Sequence, residues 1–322
     1  MFSKSGKFNE FSKKLVTVLA IVLVLGMAGT VLATRDASEE IRLSSATSAL
    51  VFQTDFGVKN DAVASMKGVA FCVDPNLKMF DLTHEIPAFD IWEAAYWLNG
   101  AAPYWPAGTV FISVVDPGVG TDRKSVVLKT KTGQYFVTPD NGTLTLVAEN
   151  LGIEAVREID EEASRLPGSE ESYTFYGRDI FALTGARLAS GMITFEEVGK
   201  LIEPRVEMIS YQKAEIKDDA VWGMVTVLDQ PFGNVWTSIP KKTFEDFGIT
   251  KGDVVNVCIM KSGETVYEGK IPYVNTFGDV EVGKTLLYMN SELRVAFAIN
   301  MDNFAETYNI ESGAEWGVKI TK

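Results

Sequence analysis

Alternation between strand-like and helix-like segments constrains the fold of this chain more than any other feature. Runs rich in valine, isoleucine and phenylalanine suit a pleated, buried surface, and they lie at residues 50–57, 78–86, 109–115 and 125–129 and in QYFVTPDNG. Apolar residues with helical spacing occur between and after these runs, at residues 62–73, 89–99, 144–151 and 179–191. This alternation predicts an α/β layer architecture for the N-terminal part.

The C-terminal part has a different pattern. From about Val206, short apolar runs are separated by glycine, aspartate and lysine turns, and they include VWGMVTVLDQ, GNVWTSIP, DVVNVCIM, TVYEGKIPYV, TLLYMNS and LRVAFAIN. Closely spaced short strands without a long helical pattern are typical of an all-β domain. We therefore place an α/β domain at residues 50–205 and a small β domain at residues 206–322.

The N-terminal segment has the pattern of an export signal. Four lysines between residues 4 and 14 precede the uncharged apolar run 15–33, which ends in small residues suited to a signal peptidase. An uncleaved membrane anchor is the alternative, because a run of this length can just cross a bilayer. In both cases we expect the rest of the chain, which starts with a polar linker at residues 34–49, to be exported, with membrane contact only through an uncleaved segment.

Charge and glycine pattern limit the possible ligands. The net charge is −13 at pH 7 and no basic stripe occurs, so nucleic acid is not expected as a partner. The stretch GVGTDR lacks a third glycine and no GxxxxGK[ST] motif is present, so the usual cradles for dinucleotides and nucleoside triphosphates are missing.

Histidine and cysteine content limits the possible chemistry further. His84 is the single histidine, which excludes a His-rich zinc site and leaves few ways to build a Ser-His-Asp triad. The two cysteines, Cys72 and Cys258, lie in apolar, strand-like runs of different predicted domains. We therefore predict buried free thiols rather than a disulfide.

Polar residues recur where the predicted N-terminal strands end. The motifs TDFG, DLTHE, VDPGVG and TPDNG place there Asp55, Asp81, His84, Asp116, Asp140 and Asn141. Each one alone is also explained by a turn or a helix cap. Ligands of open α/β sheets bind at the carboxyl ends of the strands, so the set together favours a site for a polyol or a cation.

Seven motifs in order give the chain a family resemblance: TDFG with MKGV, DLTHEIPAFDI, YWPAGTVFISVVDPGVGTDRKSV, PDNG, TFYGRDIFA and PFGNVW. This series resembles the S-adenosylmethionine hydrolase (hydroxide adenosyltransferase) family, which is related to the fluorinases and chlorinases. The resemblance implies an α/β N-terminal domain, a C-terminal β-barrel and a homotrimer whose adenosyl-binding sites lie between subunits. It also implies that no metal and no organic cofactor takes part.

The resemblance assigns the catalytic positions to Asp116, Arg123 and Tyr176. In the hydrolases, the acid of DPGVG and the arginine seven residues later act with a histidine on the water that attacks C5′ of the ribose. Tyr176 stands in place of that histidine, and TFY is the halogenase pattern. Halogenases replace the acid, however, and this chain retains it at Asp116.

The resemblance also assigns substrate-binding positions. Asp55 would bind the ribose hydroxyls, and the other positions are Asn60, Phe89, Phe232, Asn234, Phe277, Ser291, Asn300 and Met301. Asn60 stands where relatives often have an acid. Glu292 aligns with an arginine that lies near the substrate carboxylate in a relative.

These positions imply hydrolysis of S-adenosylmethionine to adenosine and methionine. The leaving sulfonium departs as a neutral thioether, so the reaction needs a poised nucleophile and no general acid. An exported, non-catalytic nucleoside-binding protein on the same scaffold is the alternative. Halide chemistry is less favoured, because the Asp116 carboxylate would repel an anionic nucleophile.

Overall fold

A computed structural model describes residues 48–322 of the chain. The predicted signal or anchor at residues 1–33 and nearly all of the predicted linker lie outside the described residues, and both stay predictions. Within residues 48–322, no helix is long and apolar enough to cross a bilayer.

The first sheet has seven strands in the order β2-β1-β3-β5-β4-β6-β7. Its first four strands are mutually parallel, and β4, β6 and β7 run antiparallel to their neighbours. The strands are β1 (Ala49–Thr54), β2 (Lys78–Thr83), β3 (Val110–Val114), β4 (Ser125–Thr130), β5 (Tyr135–Pro139), β6 (Ile153–Ile159) and β7 (Gly199–Ile202).

Helices cover both faces of this sheet. They are α1 (Ala62–Val73), α2 (Ile91–Ala101), α3 (Thr145–Leu151), and a π-helix (Gly177–Ala182) that continues as α4 (Leu183–Ala189). In strand β1, which has a neighbour on each side, Leu50 and Phe52 pack with α1 and α4, whereas Val51 packs with α2 and α3. Burial on both faces explains why β1 is a continuous apolar run rather than an alternating one.

Local chemistry sets the helix boundaries. We predicted a helix from residue 89, but α2 starts at Ile91. Phe89 cannot belong to the helix because its φ of 69° is left-handed. Asp90 is the N-cap, and its Oδ1 accepts a hydrogen bond from the Glu93 amide at 2.8 Å. The predicted stop of α4 is confirmed, since Gly191 adopts a left-handed φ of 74° two residues after the helix ends.

The cysteine prediction was partly wrong. Both thiols are free, but Cys72 is exposed in the last turn of α1 and Cys258 is half-buried on a strand. The inward face of α1 is formed by Val63, Met66 and Ala70, and Cys72 lies off that face.

The second sheet is an eight-stranded, antiparallel barrel in the order β12-β11-β15-β9-β10-β14-β13, with β8 paired to β9. A bridge between Tyr273 and Leu287 nearly closes it. The strands are β8 (Glu215–Lys217), β9 (Ala220–Asp229), β10 (Asn234–Pro240), β11 (Val254–Lys261), β12 (Glu264–Pro272), β13 (Thr285–Met289), β14 (Arg294–Ile299) and β15 (Trp316–Thr321). Two short helices, α5 (Lys241–Asp246) and α6 (Phe304–Tyr308), complete the domain. The predicted fold class is confirmed.

Helix α2 joins the two sheets through aromatic residues. The Trp92 indole donates to the Thr226 carbonyl at 2.9 Å, and the Trp97 and Trp236 rings lie 5.9 Å apart. The Tyr96 hydroxyl donates to Glu292 Oε2 at 2.7 Å. Burial, together with the Glu292 charge, raises the pKa of Tyr96, so the hydroxyl stays a donor. Trp92 and Trp97 therefore pack between the sheets.

We expect Tyr96→Phe to destabilise the protein by about 1.5–3 kcal/mol, because it removes a hydrogen bond to a charged group. The Glu292 carboxylate would keep only Arg294, whose Nε lies 3.8 Å from Oε2. Urea unfolding at pH 7 measures the change in the free energy of unfolding.

Tyr211→Phe is the matched control. The Tyr211 hydroxyl donates to Glu149 at 2.6 Å, but Lys213 also binds this carboxylate, at 2.9 Å, and remains in the variant. We expect a loss below about 1 kcal/mol here. Equal losses in both variants would show that Tyr96 does not brace the two sheets.

Candidate functional site

Most of the polar residues predicted at strand ends do lie at one edge of the first sheet. Asp81 is the exception, because it lies inside β2, two residues before the strand ends. Asp55 follows β1, His84 follows β2, Asp116 lies two residues after β3 and Asp140 follows β5. These four strands are parallel, so their carboxyl ends lie along a single edge. The edge predicted as the ligand-binding site therefore exists as a structural unit.

An ion pair between Asp116 and Arg123 lies at this edge. Arg123 Nε is 3.2 Å from Asp116 Oδ1 and 3.0 Å from Oδ2, and Nη2 is 2.6 Å from Oδ2. The Asp116 side chain is only 5% exposed and the Arg123 side chain only 9%. Gly120, with φ of 77°, provides the left-handed conformation that turns the chain between them. The guanidinium compensates the charge of the Asp116 carboxylate and holds this carboxylate in one orientation.

Tyr176 lies beside this pair. Two guanidinium groups lie over its ring, with Cζ of Arg123 4.9 Å and Cζ of Arg165 5.1 Å from the ring centroid. The side chain is buried in the core below the edge. Burial raises the pKa of Tyr176, and the nearby Glu161 carboxylate raises it further. At neutral pH the group is therefore a hydroxyl, able to donate a hydrogen bond.

Asp55 holds the loop that carries Phe89. Asp55 Oδ2 accepts a hydrogen bond from the Phe89 amide at 2.9 Å, at the residue with the left-handed backbone. Phe89 is 69% exposed at the same edge. Asn60 is oriented differently, because its Oδ1 accepts from the Ala62 amide at 3.0 Å at the start of α1.

His84 supports the Asp55 loop from below. Its Nδ1 lies 2.8 Å from Thr54 Oγ1, and its carbonyl accepts from the Gly57 amide at 2.7 Å. Its Nε2 lies 3.0 Å from Asp81 Oδ1. Burial works to raise the pKa of Asp81, but the hydrogen bonds from Lys67 and His84 outweigh it and lower that pKa.

A second group of predicted residues lies on the barrel. Asn234 is buried at the start of β10, and its Nδ2 donates to Asp229 Oδ2 at 2.9 Å. Phe232, between them in sequence, has an exposed ring. Asp229 was not among the predicted site residues, although it lies in the run VWGMVTVLDQ. Its hydrogen bond orients the Asn234 side chain.

The other predicted barrel residues are spread over three turns. Phe277 packs against Tyr288 with ring centroids 4.9 Å apart. Ser291 is exposed in the turn between β13 and β14. Asn300 Nδ2 donates to the Val280 carbonyl at 2.8 Å, and Met301 is exposed with a left-handed φ of 62°.

The two groups are separate within one chain. Among the described residues, no hydrogen bond, ion pair or ring contact joins Asp55, Asn60, Phe89, Asp116, Arg123 or Tyr176 to the predicted barrel residues. The same part of the chain contains no group of three or more His, Cys, Asp or Glu side chains placed to hold a metal.

Comparison with known proteins identifies the family. The model of the SAM hydroxide adenosyltransferase N-terminal domain matches residues 50–199, and that of the C-terminal domain matches residues 223–317. The chain belongs to the S-adenosylmethionine hydroxide adenosyltransferase family. The resemblance carried by the motifs is thereby confirmed.

Both hydrolases and fluorinases are among the relatives. A fluorinase from Nocardia brasiliensis is 29% identical over 297 residues, covering 84% of this chain and 96% of the relative. An (R)-S-adenosyl-L-methionine hydrolase from Methanocaldococcus jannaschii is 32% identical over 268 residues, covering 81% and 92%. The crystal structure of an uncharacterized conserved protein from Thermotoga maritima aligns with a TM-score of 0.77 at 36% identity, covering 85% of this chain and 100% of that one.

In this member of the family, we expect Arg123→Met to lower stability by about 3–5 kcal/mol at pH 7, because it leaves the buried Asp116 carboxylate without its partner. Adding Asp116→Asn to the same variant should restore most of this loss, since no charge then remains buried. Urea unfolding of the single and double variants measures both effects.

Lys129→Met is the control for this comparison. In the parent protein, Lys129 Nζ lies 2.7 Å from Glu154 Oε1, in a more exposed ion pair of the same sheet. Removing this lysine should lower the free energy of unfolding by less than about 1 kcal/mol. If Arg123→Met costs no more than Lys129→Met, the Asp116–Arg123 pair does not stabilise this edge.

Proposed function

We propose that this protein hydrolyses S-adenosylmethionine to adenosine and methionine, by attack of water at C5′ of the ribose. The observation that carries this proposal is the buried Asp116–Arg123 pair, stacked on Tyr176 at the carboxyl edge of the parallel strands. Family membership and the hydrolase relatives support the same chemistry.

The residues at this edge account for the proposed reaction. The sulfonium leaves as a neutral thioether, so catalysis consists of aligning and activating one water. The Asp116 carboxylate accepts a proton from that water, and Arg123 holds the carboxylate in place. The Tyr176 hydroxyl donates a hydrogen bond that positions the water. Asp55 can accept both ribose hydroxyls, and the reaction requires no metal or organic cofactor.

Two alternative functions are weighed at one residue each: a halide nucleophile at Asp116, and nucleoside binding without turnover at Tyr176. A halide nucleophile would have to approach the Asp116 carboxylate, which would repel it. A nucleoside-binding protein without turnover is the second candidate, and it is favoured by Tyr176 in the position where the resemblance implies a catalytic histidine. A tyrosine hydroxyl with a raised pKa is a poor general base at pH 7.

We expect Asp116→Asn to retain adenosine binding and to lower the rate of S-adenosylmethionine hydrolysis by about 10²- to 10⁴-fold. The amide keeps the shape of the side chain but cannot accept the proton of the attacking water. Chromatography of released adenosine and methionine measures the rate, and calorimetry with adenosine measures binding.

Tyr176→His tests the second candidate in the same assay. It introduces a stronger base at the third position, so hydrolysis should increase relative to the parent protein. If the parent, Asp116→Asn and Tyr176→His proteins all bind adenosine equally and none releases methionine, the hydrolase proposal is wrong and the nucleoside-binding function stands.

We also propose that the active form is a homotrimer, with each site completed by a neighbouring subunit. The separation of the sheet-edge residues from the barrel residues within one chain supports this. Light scattering of the purified protein should give three times the mass of one chain. A monomer at micromolar concentration that still binds adenosine would contradict the shared site.

A further inference from the structure

Arg123 is held by two acids, of which the proposed reaction uses one. Asp116 occupies the Nε and Nη2 side of the guanidinium. On the other side, Nη1 donates to Ser125 Oγ at 2.8 Å, and Ser125 Oγ donates to Glu161 Oε1 at 2.7 Å. Glu161 Oε1 itself lies 3.6 Å from Arg123 Nη1. The four side chains form one hydrogen-bonded chain from Glu161 to Asp116.

The direction of these hydrogen bonds gives Glu161 a specific role. Ser125 can accept from Arg123 with its lone pair while its own proton points at the Glu161 carboxylate. Hydrogen bonds arranged in such a chain polarise and strengthen one another. Without an acceptor at residue 161, the Ser125 hydroxyl is free to rotate and Arg123 loses its second fixed contact.

The backbone holds Glu161 in place for this contact. Ser125 is the first residue of β4, and Glu161 lies two residues after β6, the strand paired with β4. The turn after β6 is closed by the Ser164 amide, which donates to the Asp160 carbonyl at 2.9 Å, and by the Ala163 amide, which donates to Asp160 Oδ1 at 3.1 Å. Sheet pairing and this turn therefore present the Glu161 side chain to Arg123.

The charges around Tyr176 belong to the same cluster. Arg123 and Arg165 both lie over its ring, and the carboxylates of Asp116 and Glu161 face Arg123 from opposite sides. Two acids and two guanidinium groups make the cluster neutral overall. Asp116 is 5% exposed, whereas Glu161 is 34% exposed at the rim.

We propose that Glu161 is a positioning residue of this site, which acts through Ser125 to fix the Arg123 guanidinium and thereby the orientation of Asp116. This role rests on the proposed hydrolase function, but the geometry it predicts does not depend on turnover. Glu161 has no hydrogen bond to Asp116 or to the ribose-binding Asp55, and its other influence, on the pKa of Tyr176, also falls on a group that faces the attacking water. Its effect is therefore on the chemical step rather than on substrate binding.

Kinetics of S-adenosylmethionine hydrolysis test the role. Glu161→Ala should lower kcat about tenfold while KM stays within about twofold, because misorientation of a reacting group slows chemistry without weakening binding. Glu161→Gln keeps an acceptor for Ser125 and should retain at least about half of kcat. Ser125→Ala should match Glu161→Ala, and combining them should cost no more than either alone.

Glu154→Ala is the matched control, since Glu154 lies on the same strand β6 and pairs with Lys129 away from Arg123. Its kcat and KM should equal those of the parent. A tenfold loss there too, a raised KM in Glu161→Ala, or a Glu161→Gln variant as slow as Glu161→Ala would overturn the positioning role.

Crystal structures of the parent, Glu161→Ala and Glu161→Gln proteins provide a result that is independent of activity. The Arg123 guanidinium should leave its two-point contact with Asp116 in Glu161→Ala and keep it in Glu161→Gln. An unchanged Arg123 in Glu161→Ala overturns the role of Glu161. If the parent protein releases no adenosine, the proposed hydrolysis is wrong. The crystal structures still test whether Glu161 positions Arg123.

Discussion

Compensation of a buried charge organises the strand edge at which the candidate site lies. Asp116 follows a parallel strand and Arg123 precedes an antiparallel one, so their ion pair spans the place where the first sheet changes direction. A buried carboxylate needs a partner of opposite charge. The tight DPGVG turn, the stacking of Tyr176 and the Ser125–Glu161 contact are all arranged around the guanidinium that meets this need.

Aromatic side chains of α2, rather than a compensated charge, connect the two sheets. Helix α2 offers tryptophan and tyrosine side chains that combine a large apolar surface with one polar atom, and each polar atom reaches a partner across the contact or within the helix. Glu292 accepts a hydrogen bond from Tyr96, so this carboxylate contributes to the contact between sheet and barrel. That explains why an acid is tolerated at a position where the resemblance implies an arginine.

Sequence patterns predicted most of the elements whose signal is local. The strands of the parallel half, α1 and the stop of α4 all depend on periodicity or on glycine at a helix end. Strand β15 was not predicted, because WGVKIT is short and is placed in the middle of the barrel by pairing with β9 and β11, distant in sequence. The start of α2 was misplaced because Phe89, a bulky residue, takes a left-handed conformation that no pattern indicates. The site shows the same division: Asp116 and Arg123 are seven residues apart in one motif, whereas Glu161 reaches Ser125 from 36 residues away, through sheet pairing.

The position of His84 gives this protein a built-in spectroscopic reporter. It is the single histidine in 322 residues, and it contacts Thr54 and Gly57 on either side of Asp55. Its imidazole resonances are therefore unique in a proton or nitrogen spectrum and need no assignment by mutagenesis. A change in the backbone on either side of Asp55 would alter the hydrogen bonds of this one ring, so the protein carries a single-site signal directly beneath the candidate edge.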